Sequence, residues 1–254
     1  MEFRGTRTLG ISGRAAAAIA VAALISAAPA AADTLRYDGA WFGSYHSSYT
    51  LHDSNPSALS VGASSGAFRM TDISGPTLAA GTSFMAWCVD IYHRLSTGSA
   101  GDSYNLRTAE QFYGTGSPTI AKLEQLASYV VGNDGNPSTN TLQSALTGGL
   151  QSAAFQLAVW EIVNEATSAL NVNSGEFYVT GGSSTVRNLA NTWLTDSQTS
   201  ARTQILSVWE GGNSTQDLAV FAPIPEAETY AMLLAGLGLM GFVARRRQRN
   251  LAAA

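Results

Sequence analysis

The 254-residue chain has one cysteine, three histidines and few charges, with 13% of its residues Asp, Glu, Lys or Arg. A single cysteine excludes an internal disulfide and any zinc site built on cysteine pairs. His46, His52 and His93 are too scattered to read as a metal-ligand set. Basic residues are scarcer still. Residues 33–224 hold 7 Arg plus Lys against 15 Asp plus Glu, a net of −8, and Lys122 is their only lysine. That segment has no basic footprint, which excludes nucleic acid as a partner class. Long apolar runs are also missing. Ala15–Ala28 and Thr229–Ala244 both fall short of the roughly 20 residues of a comfortable membrane span.

What the ends do carry is targeting information. Arg4, Arg7 and Arg14 form a basic region, Ala15–Ala28 a short apolar one, and Ala30-Ala31-Ala32 a small-residue cleavage site. Residues 1–32 therefore read as a secretory signal peptide, with Asp33 as the mature start. At the other end, Thr229–Ala244 is followed at once by Arg245, Arg246, Arg247 and Arg249. Sixteen helical residues reach roughly 24 Å, short of the roughly 30 Å hydrocarbon core. Such a helix spans only where the bilayer thins or the arginines snorkel. The arginine cluster would stay cytoplasmic and place everything before the helix outside.

Pro225-Glu226-Ala227, the short apolar helix and the arginine cluster together resemble a PEP-CTERM sorting tail, over residues 223 to 249. The usual signature is Pro-Glu-Pro, and Ala227 departs from it at the third position. The resemblance implies processing by an exosortase in the membrane of an envelope-bearing, exopolysaccharide-making bacterium. The protein would be held in the inner membrane by its C-terminal helix, then released to the cell surface or beyond. The same tail has been labelled an ice-binding-protein C-terminal domain, which implies nothing about ice. Three segments follow: the signal peptide at 1–32, an ectodomain at 33–222 and the tail at 223–254.

Within the ectodomain, Leu35–Tyr37, Ala40–Tyr45 and Ala67–Thr71 are β-prone stretches between turn residues. Phe84–Tyr92 is the best strand, with Met85, Trp87, Val89 and Ile91 alternating onto the expected core face. Cys88 shares the opposite face with Ala86, Asp90 and Tyr92. Ser117-Pro118 starts a helix that Gly132 closes. Leu142–Ala166 is helical with a weak point at Gly148-Gly149, and it is apolar on nearly every side around Leu150–Val163. Ser184–Leu194 reads as a third helix, and Gln204–Trp209 and Asp217–Phe221 as closing strands. Strands interrupted by helices without βαβ alternation predict an α+β fold. The expectation is a β-rich sandwich or barrel-like ectodomain with an inserted helical layer, plus a short C-terminal transmembrane helix.

An orphan cysteine in an exported chain is inert, pairs with another molecule, or does chemistry. Trp87-Cys88-Val89-Asp90 and Phe155-Gln156-Leu157-Ala158-Val159-Trp160 bear on that choice. These two segments resemble the paired motifs of the thioester domains of bacterial surface adhesins. The resemblance implies that the Cys88 thiolate attacks the Gln156 carboxamide, expels ammonia and leaves an internal thioester. An external amine would then open this acyl electrophile and become covalently attached. Trp87, Phe155 and Trp160 would supply the apolar shield that keeps water out until then. The residues also fit a plainer reading, a small buried Cys88 and a satisfied core amide at Gln156.

Other chemistry is poorly supported. A strand through residue 93 would turn Cys88 and His93 to opposite faces. Gly62-Ala63-Ser64-Ser65-Gly66 fits Gly-x-Ser-x-Gly but lacks the strand-to-helix turn, and reads as a loop. Asn133–Pro137 lacks the spaced acidic ligands of a calcium loop. Glu161 and Glu165, one helical turn apart, read as solvated or capping. The chain is expected to be a non-enzyme, with no catalytic residues, no metal and no cofactor. Its partners would be an exosortase-type enzyme, and an amine-bearing surface target or exopolysaccharide matrix. The alternative is a non-covalent surface or biofilm-matrix protein with an inert Cys88.

Overall fold

A computed structural model describes residues 32–54, 58–134, 140–165, 169–225, 236, 237 and 240. The chain divides into two compact units, Met1–Pro223 and Ile224–Ala254. The signal peptide up to residue 31, Glu226, Ala227 and the arginines from Arg245 to Arg249 lie outside the described residues, as does almost all of Thr229–Ala244. No helix among the described residues is long and apolar enough to cross a membrane.

The first unit is built on a closed barrel rather than a sandwich. Its six strands are β1 (Asp33–Ala40), β4 (Phe68–Asp72), β5 (Ser83–Cys88), β9 (Leu218–Pro223), β8 (Gln204–Gly211) and β6 (Asp102–Thr108), in that spatial order. Every neighbouring pair is antiparallel, and β6 closes the circuit by pairing Asp33–Leu35 with Asp102–Tyr104. Closure removes both exposed edges. Leu35, Met70, Leu78, Phe84, Ala86, Tyr104, Trp209, Leu218 and Val220 form the smaller of two buried clusters. A second, three-stranded sheet is ordered β3 (Leu59–Ser65), β2 (His46–Asp53), β7 (Phe177–Gly181).

Helices fill the space between. They are α1 (Ala109–Tyr113), α2 (Pro118–Gly132), α3 (Leu142–Ala145), α4 (Gly149–Asn164) and α5 (Ser184–Asp196). Every residue of α4 from Ser152 to Ile162 is buried, because β2, β3, β5, β7, α2 and α5 surround it. This is the burial expected of a helix apolar all round. A hydrogen bond from Ala67 N to Ser152 Oγ, 2.7 Å, ties its first turn to the chain entering β4.

Several sequence expectations change. Residues 41–43 form a turn and not the middle of a strand. The expected Leu142–Ala166 helix is two, because Leu146 and Gly148 are extended. Gly62–Ser65 belong to β3 and not to a loop. The most consequential change is that β5 stops at Cys88. Asp90 Oδ1 accepts from Tyr92 N at 2.8 Å and His93 N at 3.3 Å, an Asx turn that competes with the β ladder. In β5, Met85 and Trp87 join the larger core shared with the helices, while Phe84 and Ala86 join the smaller cluster. Cys88, at the strand end, departs from the alternation and packs in the helix-side core.

Candidate functional site

Cys88 and Gln156 meet where the end of β5 abuts the middle of α4. Both are sealed from solvent, at 0% and 1% exposure. Cys88 N donates to Gln156 Oε1 at 3.0 Å, and Gln156 Nε2 donates to Cys88 O at 2.8 Å. The carboxamide therefore pairs with the cysteine as a neighbouring strand would. This also meets the hydrogen-bonding demand of a glutamine buried on an apolar helix.

The sulfur has its own surroundings. Cys88 Sγ donates to Asp90 O at 2.9 Å, across the turn that ends the strand. Burial pushes the thiol up to about 12, opposed by the Trp160 indole N–H beside the sulfur and by the Asp90 contact. Trp160 Nε1 lies outside conventional hydrogen-bond geometry. The aromatics expected as a shield divide into two groups. Trp160 stands at the sulfur, whereas Trp87 and Phe155 pack with tilted rings at 4.7 Å between centroids and both meet Phe221.

The same turn folds His93 back beside the site, which a continuous strand would have forbidden. His93 Nδ1 lies 2.5 Å from Asp90 Oδ2. His93, Trp160, Ile91 and Gln216 line a cleft of about 210 Å³ together with β3 residues that include Val61 and Ser64. Gln216 Nε2 bridges Asp90 O at 3.1 Å and His93 O at 3.2 Å. In the sequence, Asp90 figures only as the last residue of the Trp87–Asp90 motif, and Gln216 and Phe221 carry no site role. Asp90 had a local signal, being an Asx residue just past a strand, but Gln216 and Phe221 come from the far end of the chain and had none.

Other candidates fall elsewhere. His52 stacks on Tyr178 at 4.5 Å and bonds Thr180 Oγ1 at 3.0 Å, across β2 and β7. Ser64 is within β3, without the turn a nucleophile elbow needs. Glu161 and Glu165 are buried rather than solvated. Glu161 Oε1 accepts from Asn171 N at 2.6 Å, and Glu165 Oε2 accepts from Glu176 N at 2.9 Å. Burial pushes Glu161 up to about 8, against the lowering effect of the Asn171 contact.

Residues 223–247 match the PEP-CTERM protein-sorting motif. This motif implies an exported protein sorted to the cell surface. No curated protein matches the chain. Among solved structures, the chain is similar to the N-terminal thioester domain of a surface protein from Clostridium perfringens. The identity is 16% and the TM-score 0.41, covering 68% of this chain and 99% of that one. A mutant of that domain gives 15%, 0.42, 70% and 100% for the same four quantities. A pilus-presented adhesin, Cpa, is similar at 11% identity and TM-score 0.34, over 73% of this chain and 68% of that one.

Proposed function

We propose that this surface-sorted protein attaches covalently to amines through a thioester between Cys88 Sγ and Gln156 Cδ. The observation that carries the reading is the burial of both side chains in one niche, with the Gln156 carboxamide held against Cys88 by two hydrogen bonds. Formation joins Sγ to Cδ and releases the amide nitrogen as ammonia. Trp160 and the surrounding core exclude the water that would hydrolyse the bond. The chain reacts once with its target and does not turn over, so it is an attachment protein and not an enzyme. An exosortase in the membrane processes the tail, releasing the ectodomain to the surface. A single lysine in residues 33–224, Lys122, limits self-capture.

Intact-mass spectrometry of the isolated protein tests this directly. The unsubstituted chain should be lighter than its composition by one ammonia, and Cys88→Ala or Gln156→Ala should abolish the deficit. A full-mass chain with a thiol that titrates on unfolding would overturn the reading. The same spectrum gives both mature termini, and a chain retaining residues 228–254 at the surface would refute tail processing.

A further inference from the structure

The cleft outside Trp160 has features that the thioester reading does not use. Its walls mix polar groups with apolar side chains, Val61, Ile91, Leu95 and Trp160 among them, and its volume is about 210 Å³. An apolar cavity of about 150 Å³ accommodates a benzene ring, so there is room for a four-carbon chain. Four polar side chains, Ser64, His93, Arg94 and Gln216, interrupt this lining, and His93 and Gln216 are tied to the turn that follows Cys88.

Both are oriented by Asp90. The Asp90 carboxylate holds His93 Nδ1 at 2.5 Å through Oδ2, while its Oδ1 is anchored by the backbone N–H groups of Tyr92 and His93. A carboxylate on Nδ1 fixes the tautomer that leaves Nε2 as an acceptor. The Asp90 carbonyl receives both the Cys88 thiol and the Gln216 amide. Because Gln216 Nε2 donates to two carbonyls, the orientation of that amide is settled by its partners. Its Oε1 is buried and has no partner among the described residues. An unmet buried acceptor on a cleft wall is a place for a donor.

We propose that this cleft receives a primary amine on an unbranched alkyl stem at the outer face of Trp160, and that displacement of the indole admits the amine to the thioester, with Gln216 Oε1 accepting one N–H and His93 Nε2 taking the proton. The proposal rests on the Cys88–Gln156 thioester. The amine nitrogen bonds to Gln156 Cδ, the Cδ–Sγ bond breaks, and the proton lost by nitrogen passes through His93 to the Cys88 sulfur. The products are an amide and a neutral thiol, so atoms and charge balance. A buried sulfur that strongly favours the thiol needs that returned proton. Arg94 on the same cleft disfavours an ammonium and so favours the neutral, nucleophilic amine, while Asp90 and Asp217 are the nearby carboxyl groups. His93 would be a catalytic residue, since it touches the reacting nitrogen.

The test follows the mass of the full chain in n-butylamine. The unsubstituted chain should lose its ammonia deficit and gain one butylamine. His93→Ala should keep the deficit but react about 100-fold more slowly, the usual scale of general-base assistance, and added imidazole should restore the rate. Gln216→Leu should keep the deficit and require a higher butylamine concentration for half-maximal rate. An unchanged rate in His93→Ala, or a slow rate that imidazole does not restore, overturns the role of His93. Unchanged saturation in Gln216→Leu overturns that of Gln216. An unsubstituted chain without the deficit instead overturns the thioester reading on which the proposal depends.

Discussion

Gln156 holds Cys88 by the backbone, accepting from its N–H at 3.0 Å and donating to its carbonyl at 2.8 Å, with neither residue in contact with bulk water. The contact positions a carboxamide beside a thiol and replaces a missing strand partner at the end of β5. A purely structural glutamine would need only the second role, so the two must be separated by experiment.

Adding Gln156→Ala to a Cys88→Ala chain makes that separation, because the sulfur is already gone. The second substitution leaves the residue-88 N–H and carbonyl buried without a partner, at about 1–3 kcal/mol each. We expect urea unfolding to show a further loss of roughly 2–5 kcal/mol. A loss below about 0.5 kcal/mol would mean that the carboxamide does not hold the strand end.

If an amine opens the proposed thioester, the thiol set free should be inert while the chain stays folded. Burial raises its pKa from 9.0 to about 12, so the folded state favours the neutral form. The associated stabilisation is complete below pH 9.0 and is lost as pH rises toward about 12. Iodoacetamide at about pH 8 should leave the opened, folded chain unmodified and label it fully in denaturant. Rapid labelling of the folded chain would show that the sulfur is accessible.

Much of this arrangement could be read from local pattern, and its limits have physical causes. Alternation in β5 and the all-round apolar surface of α4 placed Cys88 at a strand and Gln156 in a buried layer. Barrel closure depends on β6 pairing with β1, a contact across some 70 residues that no local period records. The position of His93 turned on one side chain, since Asp90 competes for backbone N–H groups that an ideal strand would give to its neighbour. Spacing alone made Glu161 and Glu165 look solvated. The backbone N–H groups of Asn171 and Glu176, which engage them, arrive from a later segment.

Trp160 stands both at the buried sulfur and on the cleft wall, so its size should govern the lifetime of the proposed thioester. Trp160→Ala opens a path for water, and the mass should rise by one water over the ammonia-deficient value as the bond hydrolyses. Trp160→Phe keeps most of the bulk and should retain the deficit. Equal lifetimes in the two variants would place the water barrier elsewhere.

Glu161 offers a prediction independent of the thioester. It is fully buried, and burial raises its carboxyl from 4.5 to about 8. The folded state thus holds the proton more tightly than the unfolded state does. The resulting stabilisation is complete below pH 4.5 and disappears as pH rises through about 8. At higher pH the chain carries a buried carboxylate whose Oε2 has no hydrogen-bond partner among the described residues. Glu161→Gln keeps the acceptor for Asn171 N and cannot ionise, so it mimics the protonated acid at every pH. Its stability should match the unsubstituted chain below about pH 4.5 and exceed it by on the order of a few kcal/mol at about pH 9. Urea unfolding at the two pH values measures both differences. A variant equally stable relative to the unsubstituted chain at both would mean that Glu161 titrates normally, and that the niche around it is wetter than its packing implies.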